Sequence, residues 1–420
     1  MTSATLVTDC NIQALFNNYF MIRTLALLSL NLGIALGFKQ QLPLRLNAAP
    51  IANIQANQSK STPSTPSTPN YEENSLGFDE QLWGKSGDKA AMLKSIDNSL
   101  RYLDTPAATK AYQNYPVQGI GRDRVRRSLV RFRQLVNTSR SAGELQAAVK
   151  QEFSFYQSIG KDNKGTVQFT GYYEPIYQAS RIQTAEFKYP LYKLPANFNS
   201  WKDPQPERVQ LEGADGLQGS TSSLAGNEIF WMRDRFEAIL VQIQGSAELN
   251  LVDGSKTTVG FAGGTNFAYN SIGKELAKDG KVTASQLTLP GIIRYFRENP
   301  LELNVYIPRY KRFVFMKETF KGEAMGSINV PVTPDRSIAT DKSMMPPGAL
   351  ALVYTELPYA SEGRSLQQKL VSRYVLDQDT GSAITGPGRV DYFMGTGKIA
   401  GDRAGITGGP GQLYYLLLKS

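Results

Sequence analysis

From Thr166 onward the sequence consists of short apolar or alternating runs that are separated by glycine, proline and asparagine. Alternation with a period of two is typical of strands that bury one face, and the separating residues favour tight turns. The sequence therefore predicts a mainly β (α+β) structure, either one barrel or a pair of barrels. Two stretches depart from the pattern, near Ser271 to Lys278 and from Leu287 to Glu298, and both are predicted to be helical. The predicted strands are VQFTGYYEP, YPLYKLP, EAILVQIQG, AELNLVDGSKTTVGFAG, SINVPV, GALALVYTEL, SRYVLDQD, GRVDYFMG and QLYYLLL.

Two amphipathic helices are predicted before residue 160, because apolar residues recur there at helical spacing. These residues are Met92, Leu93, Ile96, Leu100 and Leu103 in the first helix, and Val125, Leu129, Phe132 and Val136 in the second. A row of arginines between Arg122 and Arg133 accompanies the second helix. This row is interpreted either as a solvated helix face or as a contact for an anionic polymer.

The N-terminal part of the chain is typical of an export signal followed by a linker. The apolar run from Leu25 to Phe38 follows Arg23 and is shorter than the roughly 20 residues that a membrane-spanning helix needs. We predict a leader over residues 1–46, either cleaved or kept as a membrane anchor, with Met21 as an alternative start. A threefold Ser-Thr-Pro repeat predicts a disordered linker over residues 47–77, since such a composition cannot bury a core. An exported protein of the periplasm or cell envelope is expected.

The chain contains no histidine, and Cys10 is its one cysteine. This excludes Ser-His-Asp and Cys-His catalysis, histidine zinc sites and an intramolecular disulfide, so acid–base chemistry must run on carboxylates. No cofactor and no metal are predicted. The segment from Leu376 to Gly397 sets Asp379 and Asp391 among glycines, which permit tight turns that aim short acidic side chains into a cleft. Ordinary turns with aspartate-capped backbone amides are the alternative interpretation.

The formal net charge is +9, from 46 lysines and arginines against 37 aspartates and glutamates. Such an excess favours an anionic partner: nucleic acid, an acidic membrane surface or an acidic cell-wall polymer. The sequence has no zinc finger, no RRM-type aromatic signature and no continuous basic tail, so nucleic acid is not predicted as a partner. Membrane association through the N-terminal segment stays open.

Between about Thr170 and Leu418 the chain carries a series of short motifs in a defined order. They are Gly171–Pro175 (GYYEP), Tyr189–Tyr192 (YPLY), Val241–Ser246 (VQIQGS), Asp253–Ser255 (DGS), Tyr269–Lys274 (YNSIGK), Asp341–Ser343 (DKS), Pro346–Gly348 (PPG), Asp379–Gly386 and Asp391–Gly397 (DYFMGTG). In type and order these motifs resemble the membrane-bound lytic murein transglycosylase A family, bacterial enzymes that cut the glycan strands of peptidoglycan.

The resemblance implies a double-psi β-barrel catalytic domain that is assembled from an early and a late chain segment. A second β-barrel domain is inserted between the two segments, and a wide groove separates the two domains. On this chain the resemblance places the catalytic barrel, with the N-terminal helices, at residues 78–180 and 320–420. It places the inserted domain at residues 181–319.

By motif position, the family's catalytic acid falls on Asp391, and its two further site aspartates fall on Asp379 and Asp341. The spacing from Asp379 to Asp391 is one residue longer than the family pattern. Glu174 occupies a position at which family members can carry a neutral residue, so it is not assigned as the acid. Gln244, Gly245 and Ser246 are expected to line the sugar groove, while Tyr172, Tyr173, Tyr392 and Phe393 either stack on sugar faces or belong to the barrel core.

The implied reaction is a non-hydrolytic cleavage of the MurNAc-GlcNAc β-1,4 bond in peptidoglycan that gives 1,6-anhydro-MurNAc ends. One carboxylic acid must be protonated near neutral pH, so the pKa of Asp391 has to lie well above the usual value of about 3.9. Asp379 and Asp341 either supply a field that raises this pKa or hold the loop by accepting backbone N–H bonds. Two alternatives stay open: a hydrolase that uses Asp379 and Asp391 as an acid and base pair, and an inactive glycan-binding module.

Overall fold

The structure, a computed structural model, describes residues 51–53, 75–113, 115–319, 322–360 and 365–419. All of them belong to one compact unit, Ala49–Ser420. The predicted leader and most of the predicted linker lie outside the described residues. Inside the linker range, however, Ile51–Asn53 forms a strand that pairs antiparallel with the strand Phe153–Ser158. Burial of the Ile51 side chain accounts for this docking, since an apolar side chain gains by leaving water.

The described chain alternates helices and strands, with most of the strands in its second half. The strands are β1 (Ile51–Asn53), β2 (Phe153–Ser158), β3 (Val167–Glu174), β4 (Ile176–Ser180), β5 (Tyr189–Tyr192), β6 (Glu228–Met232), β7 (Ser246–Leu251), β8 (Lys256–Gly264), β9 (Val314–Glu318), β10 (Ser337–Ala339), β11 (Leu350–Ala360), β12 (Leu366–Asp379), β13 (Arg389–Thr396) and β14 (Gly408–Leu418). The α-helices are α1 (Lys89–Leu103), α2 (Pro106–Gln113), α3 (Arg122–Thr138), α4 (Ala142–Glu152), α5 (Arg208–Glu212), α6 (Arg235–Gln244), α7 (Ile272–Lys278), α8 (Leu289–Glu298), α9 (Leu303–Tyr306) and α10 (Lys398–Ile406).

Six strands close into a barrel in the order β3-β14-β11-β12-β10-β13, and β13 returns to β3. The pairs β10–β12 and β3–β13 are parallel, whereas β10–β13 is antiparallel. β3 comes from the early part of the chain and the other five strands come from the late part. This closed barrel of early and late segments confirms the predicted double-psi arrangement. β2 and β1 extend the same sheet beyond β14.

A second sheet has the order β5-β6-β4-β7-β8-β9 and is formed entirely by strands between Ile176 and Glu318. Within the described residues β5 pairs only with β6, and β9 pairs only with β8. The end strands nevertheless share one apolar core, which contains Leu191 of β5 together with Val314 and Met316 of β9. The chain therefore builds two separate β cores, and the predicted mainly β class is confirmed.

The helices α1 and α3 confirm the two predicted N-terminal helices, and their apolar faces pack into the core of the barrel sheet. Several α3 arginines bind neighbouring parts of the chain. Arg126 pairs with Asp104, Arg131 with Glu152 and Arg133 with Asp97, at 2.6 to 2.8 Å. These arginines therefore tie α3 to adjacent helices.

Two predicted strands are wrong. The run EAILVQIQG lies in helix α6, because its apolar residues also fit a helical period and both ends are capped. The Asp234 side chain accepts from the Glu237 amide, and Gly245 ends the helix in the left-handed region at a φ of 80°. SINVPV contributes only an isolated bridge between Met325 and Pro331. The two predicted helical interruptions are confirmed as α7 and α8.

Candidate active site

The site is organised around Ala339, the last residue of the short strand β10. Ala339 is the register partner of Asp391 on β13 and of Asp379 on β12. Because neighbouring strands lie about 4.8 Å apart, the two aspartate Cα atoms are roughly 10 Å from each other. The barrel closure thus brings together two acidic residues that the motif analysis had selected.

Asp391 accepts a hydrogen bond from a side chain of the adjacent parallel strand. The Thr170 hydroxyl donates to Oδ1 of Asp391 at 2.8 Å, and Thr170 is also the register partner of Asp391. Arg389 Nη2 lies 3.4 Å from the same hydroxyl oxygen. Burial raises the pKa of Asp391 to about 6, the charge of Asp379 acts in the same direction, and Thr170 and Arg389 act against it. Asp391 is therefore a carboxyl that can carry a proton close to neutral pH.

Asp379 is held by several donors. The Tyr172 hydroxyl donates to Oδ2 at 2.8 Å, while the amides of Ser327 and Thr380 donate to Oδ1 at 2.9 and 2.8 Å. Burial raises the pKa of Asp379, although these donors and the charge of Lys342 oppose the shift. With both carboxylate oxygens engaged, Asp379 is suited to a fixed position and a local electrostatic role.

Asp341 fixes the loop that leads into β13. Its Oδ1 accepts from the Ser343 amide at 3.0 Å and from the Ser343 hydroxyl at 2.6 Å, and its Oδ2 accepts from the Gly386 amide at 2.7 Å. Burial acts to raise the pKa of Asp341, but these donors and Lys342 outweigh it and the pKa is lowered. Asp341 is accordingly an ionised anchor.

A buried ion pair under the site was missed by the sequence analysis. The Lys342 ammonium donates to Asp377 Oδ1 and to the main-chain oxygen of Asp379, and the Tyr415 hydroxyl donates to Asp377 Oδ2 at 2.7 Å. Asp377 is fully buried. Its position two residues before Asp379, on the same strand, was the available signal, but nothing local in the sequence indicated the partner Lys342.

Thr170 was missed as well, since its role depends on a parallel strand pairing that local patterns do not encode. The aromatic candidates divide between the site and the core. Tyr172 holds Asp379 and packs against Phe393, with ring centroids 5.1 Å apart. Tyr173, Tyr392 and Phe393 are buried, which matches the core interpretation.

The turn that contains Gln244, Gly245 and Ser246 lies next to the end of β3. Gln244 Oε1 accepts from the Tyr173 amide at 3.3 Å, and Ser246 begins β7. Glu174, the last residue of β3, is only 2% exposed, and its Oε2 accepts from the Thr396 hydroxyl at 3.0 Å. The predicted groove residues therefore lie beside the passage between the two sheets, by which we mean residues 174–176, where the chain leaves the barrel and enters the second sheet.

Neither a metal site nor a membrane-spanning helix is found in the described part of the chain. It contains no group of three or more Asp, Glu or Cys side chains that could hold a metal ion. No helix in it is long and apolar enough to cross a membrane.

The fold and the site define a class of barrel protein in which a closed mixed barrel carries an aspartate cluster and a second sheet adjoins it. Two family profiles match this chain: the MltA specific insert domain over residues 168–317 and the 3D domain over residues 336–417. Membrane-bound lytic murein transglycosylase A of Escherichia coli is 31% identical over 264 residues, which cover 62% of this chain and 68% of that protein. The protein of the same name from Vibrio cholerae is 30% identical over 265 residues, with coverage of 62% and 68%.

Solved structures agree at the level of the fold. The crystal structure of E. coli MltA with bound chitohexaose superposes with a TM-score of 0.64 at 23% identity and covers 86% of this chain and 100% of that chain. The membrane-bound lytic murein transglycosylase from Agrobacterium tumefaciens gives a TM-score of 0.61 at 21% identity, with coverage of 77% and 92%. The chain belongs to the membrane-bound lytic murein transglycosylase A family. The predicted membership of this enzyme family is confirmed.

Proposed function

We propose that this protein is a lytic transglycosylase that cleaves the MurNAc-GlcNAc β-1,4 bond of peptidoglycan without water, and that Asp391 acts as general acid and then as general base. The relatives named murein transglycosylase support the substrate and the reaction class. The observation that carries the assignment of the acid is the position of Asp391 at the barrel closure, beside Thr170 and across β10 from Asp379, where burial raises its pKa to about 6. A general acid works best when its pKa lies near the operating pH.

A mechanism with a single acid needs one aspartate that can be protonated and others that are held in place, and the three aspartates differ in their hydrogen-bond donors. The carboxyl of Asp391 accepts from the Thr170 hydroxyl and from the Tyr392 amide, whereas within the described residues Asp379 and Asp341 each accept at least three hydrogen bonds. Donors stabilise a charged carboxylate, and at Asp341 they outweigh burial and lower the pKa, so Asp341 is a poor proton donor. The pKa of Asp379 is raised by burial, but hydrogen bonds hold both of its carboxylate oxygens in place. We assign Asp379 to raising the pKa of Asp391 and Asp341 to fixing the loop at Gly386.

In the first step the Asp391 carboxyl gives its proton to the glycosidic oxygen, the bond from that oxygen to C1 of MurNAc breaks, and GlcNAc leaves as an alcohol. The C1 cation then lies next to the anionic Asp391. In the second step Asp391 removes the proton of the MurNAc C6 hydroxyl, whose oxygen attacks C1 and closes the 1,6-anhydro ring. The attack is intramolecular, with an effective molarity of perhaps 10⁵ M or more, so it can outrun water.

The groove for the glycan is proposed to run along the passage between the sheets, past Gln244, Gly245 and Ser246. We extend to this chain the glycan binding that the chitohexaose complex records for its relative. We also propose the domain assignment of a catalytic barrel at residues 78–180 and 320–420 with an insert at 181–319. The second sheet supports an insert of about this extent, although its strand β4, Ile176–Ser180, precedes the proposed boundary at residue 181.

Analysis of the reaction products tests the proposal. Purified peptidoglycan is digested with the wild-type protein, and the released muropeptides are identified by mass spectrometry. We expect 1,6-anhydro-MurNAc ends, which are lighter by one water than reducing ends. Reducing ends would instead establish the two-carboxylate hydrolase, and binding without any release would establish the inactive module.

Export to the cell envelope is proposed from the family and from the predicted leader, which the structure does not describe. Fractionation of cells that produce the full chain, or a chain without residues 1–46, provides the test. We expect the full chain in the envelope fraction and the shortened chain in the cytoplasm. An identical distribution of the two forms would contradict the proposed leader.

A further inference from the structure

Glu174 stands where the chain passes from the barrel to the second sheet. It is the last residue of β3, Pro175 follows it, and β4 begins at Ile176. The passage is held on the barrel side, because the Gly397 amide donates to the Glu174 main-chain oxygen at 2.8 Å and the Thr396 hydroxyl donates to its Oε2 at 3.0 Å.

The same passage is held on the other side by the second sheet. The Glu248 amide of β7 donates to the Pro175 oxygen at 2.9 Å, and Gln244 Oε1 accepts from the Tyr173 amide at 3.3 Å. The Ser246 hydroxyl lies close enough to lower the pKa of Glu174. The Glu174 side chain therefore lies between the end of β13, which carries Asp391, and the turn proposed to line the groove.

The other carboxyl oxygen of Glu174, Oε1, is buried without a hydrogen bond in the described part of the chain. The residue as a whole is 2% exposed. A buried carboxylate that has only the hydroxyls of Thr396 and Ser246 as donors is costly, whereas a protonated carboxyl is neutral and can itself donate to the Ser246 hydroxyl. The geometry thus favours the protonated form.

The charged group closest in effect, Glu248, also favours the protonated form of Glu174. Burial raises its pKa to about 7, Glu248 on β7 raises it further, and the hydroxyls of Thr396 and Ser246 lower it. Lys398, the first residue of α10, is mostly exposed and is paired with Asp402. The charged group that bears most on Glu174 is therefore another carboxylate.

We propose that Glu174 is a positioning residue that, in its protonated form, holds the turn Gln244–Ser246 against the C-terminal end of β13 and so sets the width of the glycan groove. The inference rests on the proposed function and deepens it by giving glycan binding its own pH dependence. Ionisation of Glu174 places a poorly partnered charge in the passage and loosens this contact. Binding is then strong at acid pH and weakens as the pH rises through about 7.

The test measures cosedimentation of the protein with insoluble peptidoglycan between pH 5 and 8.5, with wild type and Glu174 variants alike carried in an Asp391→Asn background so that the readout does not depend on cleavage. For the wild type we expect the dissociation constant to rise by about fivefold with a midpoint near pH 7, the size of one lost hydrogen bond. Glu174→Gln stays neutral at every pH, so its binding should remain strong and flat. Glu174→Ala should bind about fivefold more weakly throughout.

The control is Glu356→Gln on the exposed side of β11, which should follow the wild-type curve. The inference is overturned if Glu174→Gln keeps the wild-type pH dependence, or if the wild type shows none. Should Glu174→Ala fail to fold, the comparison of wild type with Glu174→Gln decides alone. The two proposals fail separately. If the wild type forms no 1,6-anhydro products but its binding still depends on pH as expected, the proposed reaction is wrong and the role of Glu174 is retained.

Discussion

At the scale of single residues, the three aspartates of the site, Asp341, Asp379 and Asp391, differ in their hydrogen-bond donors and in the direction in which their pKa values are shifted. Asp391 accepts from the Thr170 hydroxyl and the Tyr392 amide and has a raised pKa, while Asp341 accepts from one hydroxyl and two amides and has a lowered pKa. The sequence left open whether Asp379 and Asp341 raise the pKa of Asp391 or hold the loop. The charge of Asp379 acts to raise that pKa, while both Asp379 and Asp341 accept hydrogen bonds from main-chain amides, Asp341 from that of Gly386.

The hydrogen bond from Thr170 gives a prediction about pH dependence. Thr170→Val removes a donor that favours the ionised form of Asp391, so the pKa of Asp391 should rise above its value of about 6. A general acid is active when protonated, and activity falls as the pH rises through its pKa. The basic limb of kcat/KM against pH should therefore move to higher pH in Thr170→Val.

The measurement is kcat/KM for peptidoglycan solubilisation between pH 4.5 and 8. Thr138→Val, at the exposed end of α3, is the matched control and should keep the wild-type limb. A limb that stays in place or moves to lower pH in Thr170→Val would mean that Asp391 is not the acid that controls this limb.

At the scale of elements, β10 is the short strand that sets Asp379 and Asp391 side by side, and its start is anchored by a buried ion network. Arg336, directly before β10, binds Asp79 and Asp88 at 2.5 Å each, and both Arg336 and Asp79 are fully buried. The Tyr374 amide of β12 also donates to Asp79 at 3.0 Å. The segment before α1 is thus bound to the start of β10 and to β12, the strand that carries Asp379.

Asp79→Asn should lower the free energy of unfolding by about 3 kcal/mol, because the buried guanidinium of Arg336 loses one of its two carboxylate partners and keeps only Asp88. Denaturant unfolding measures this change. Asp123→Asn, an exposed aspartate on α3, serves as the control and should change stability by less than about 0.5 kcal/mol. Equal stability of the two variants would show that the network does not anchor β10.

The elements also show what local patterns can and cannot predict. The helices α1 and α3 and most strands follow from apolar spacing, and the aspartates follow from the motif resemblance. The helix α6 was mistaken for a strand, since a short apolar run fits both periods and only its caps at Asp234 and Gly245 decide. Barrel closure, and with it the contact of Thr170 with Asp391, depends on pairing between residues more than 200 positions apart.

At the scale of the whole molecule, the charge of +9 is expected to act on association with an anionic wall. The Debye length falls from about 10 Å at 0.1 M salt to about 3 Å at 1 M, so kcat/KM on native peptidoglycan should drop over this range. Binding of uncharged chitohexaose, measured by calorimetry, should change little. An equal salt response for both ligands would exclude electrostatic steering by the net charge.

The proposed lytic mechanism requires Asp391 to act as the single acid and base, and the rate of 1,6-anhydro-MurNAc formation tests this requirement directly. Asp391→Asn keeps the shape of the side chain but cannot donate or recover the proton, so the rate should fall by about 10²- to 10⁴-fold, while Asp123→Asn stays at the wild-type rate. Wild-type product formation by folded Asp391→Asn protein would contradict the account.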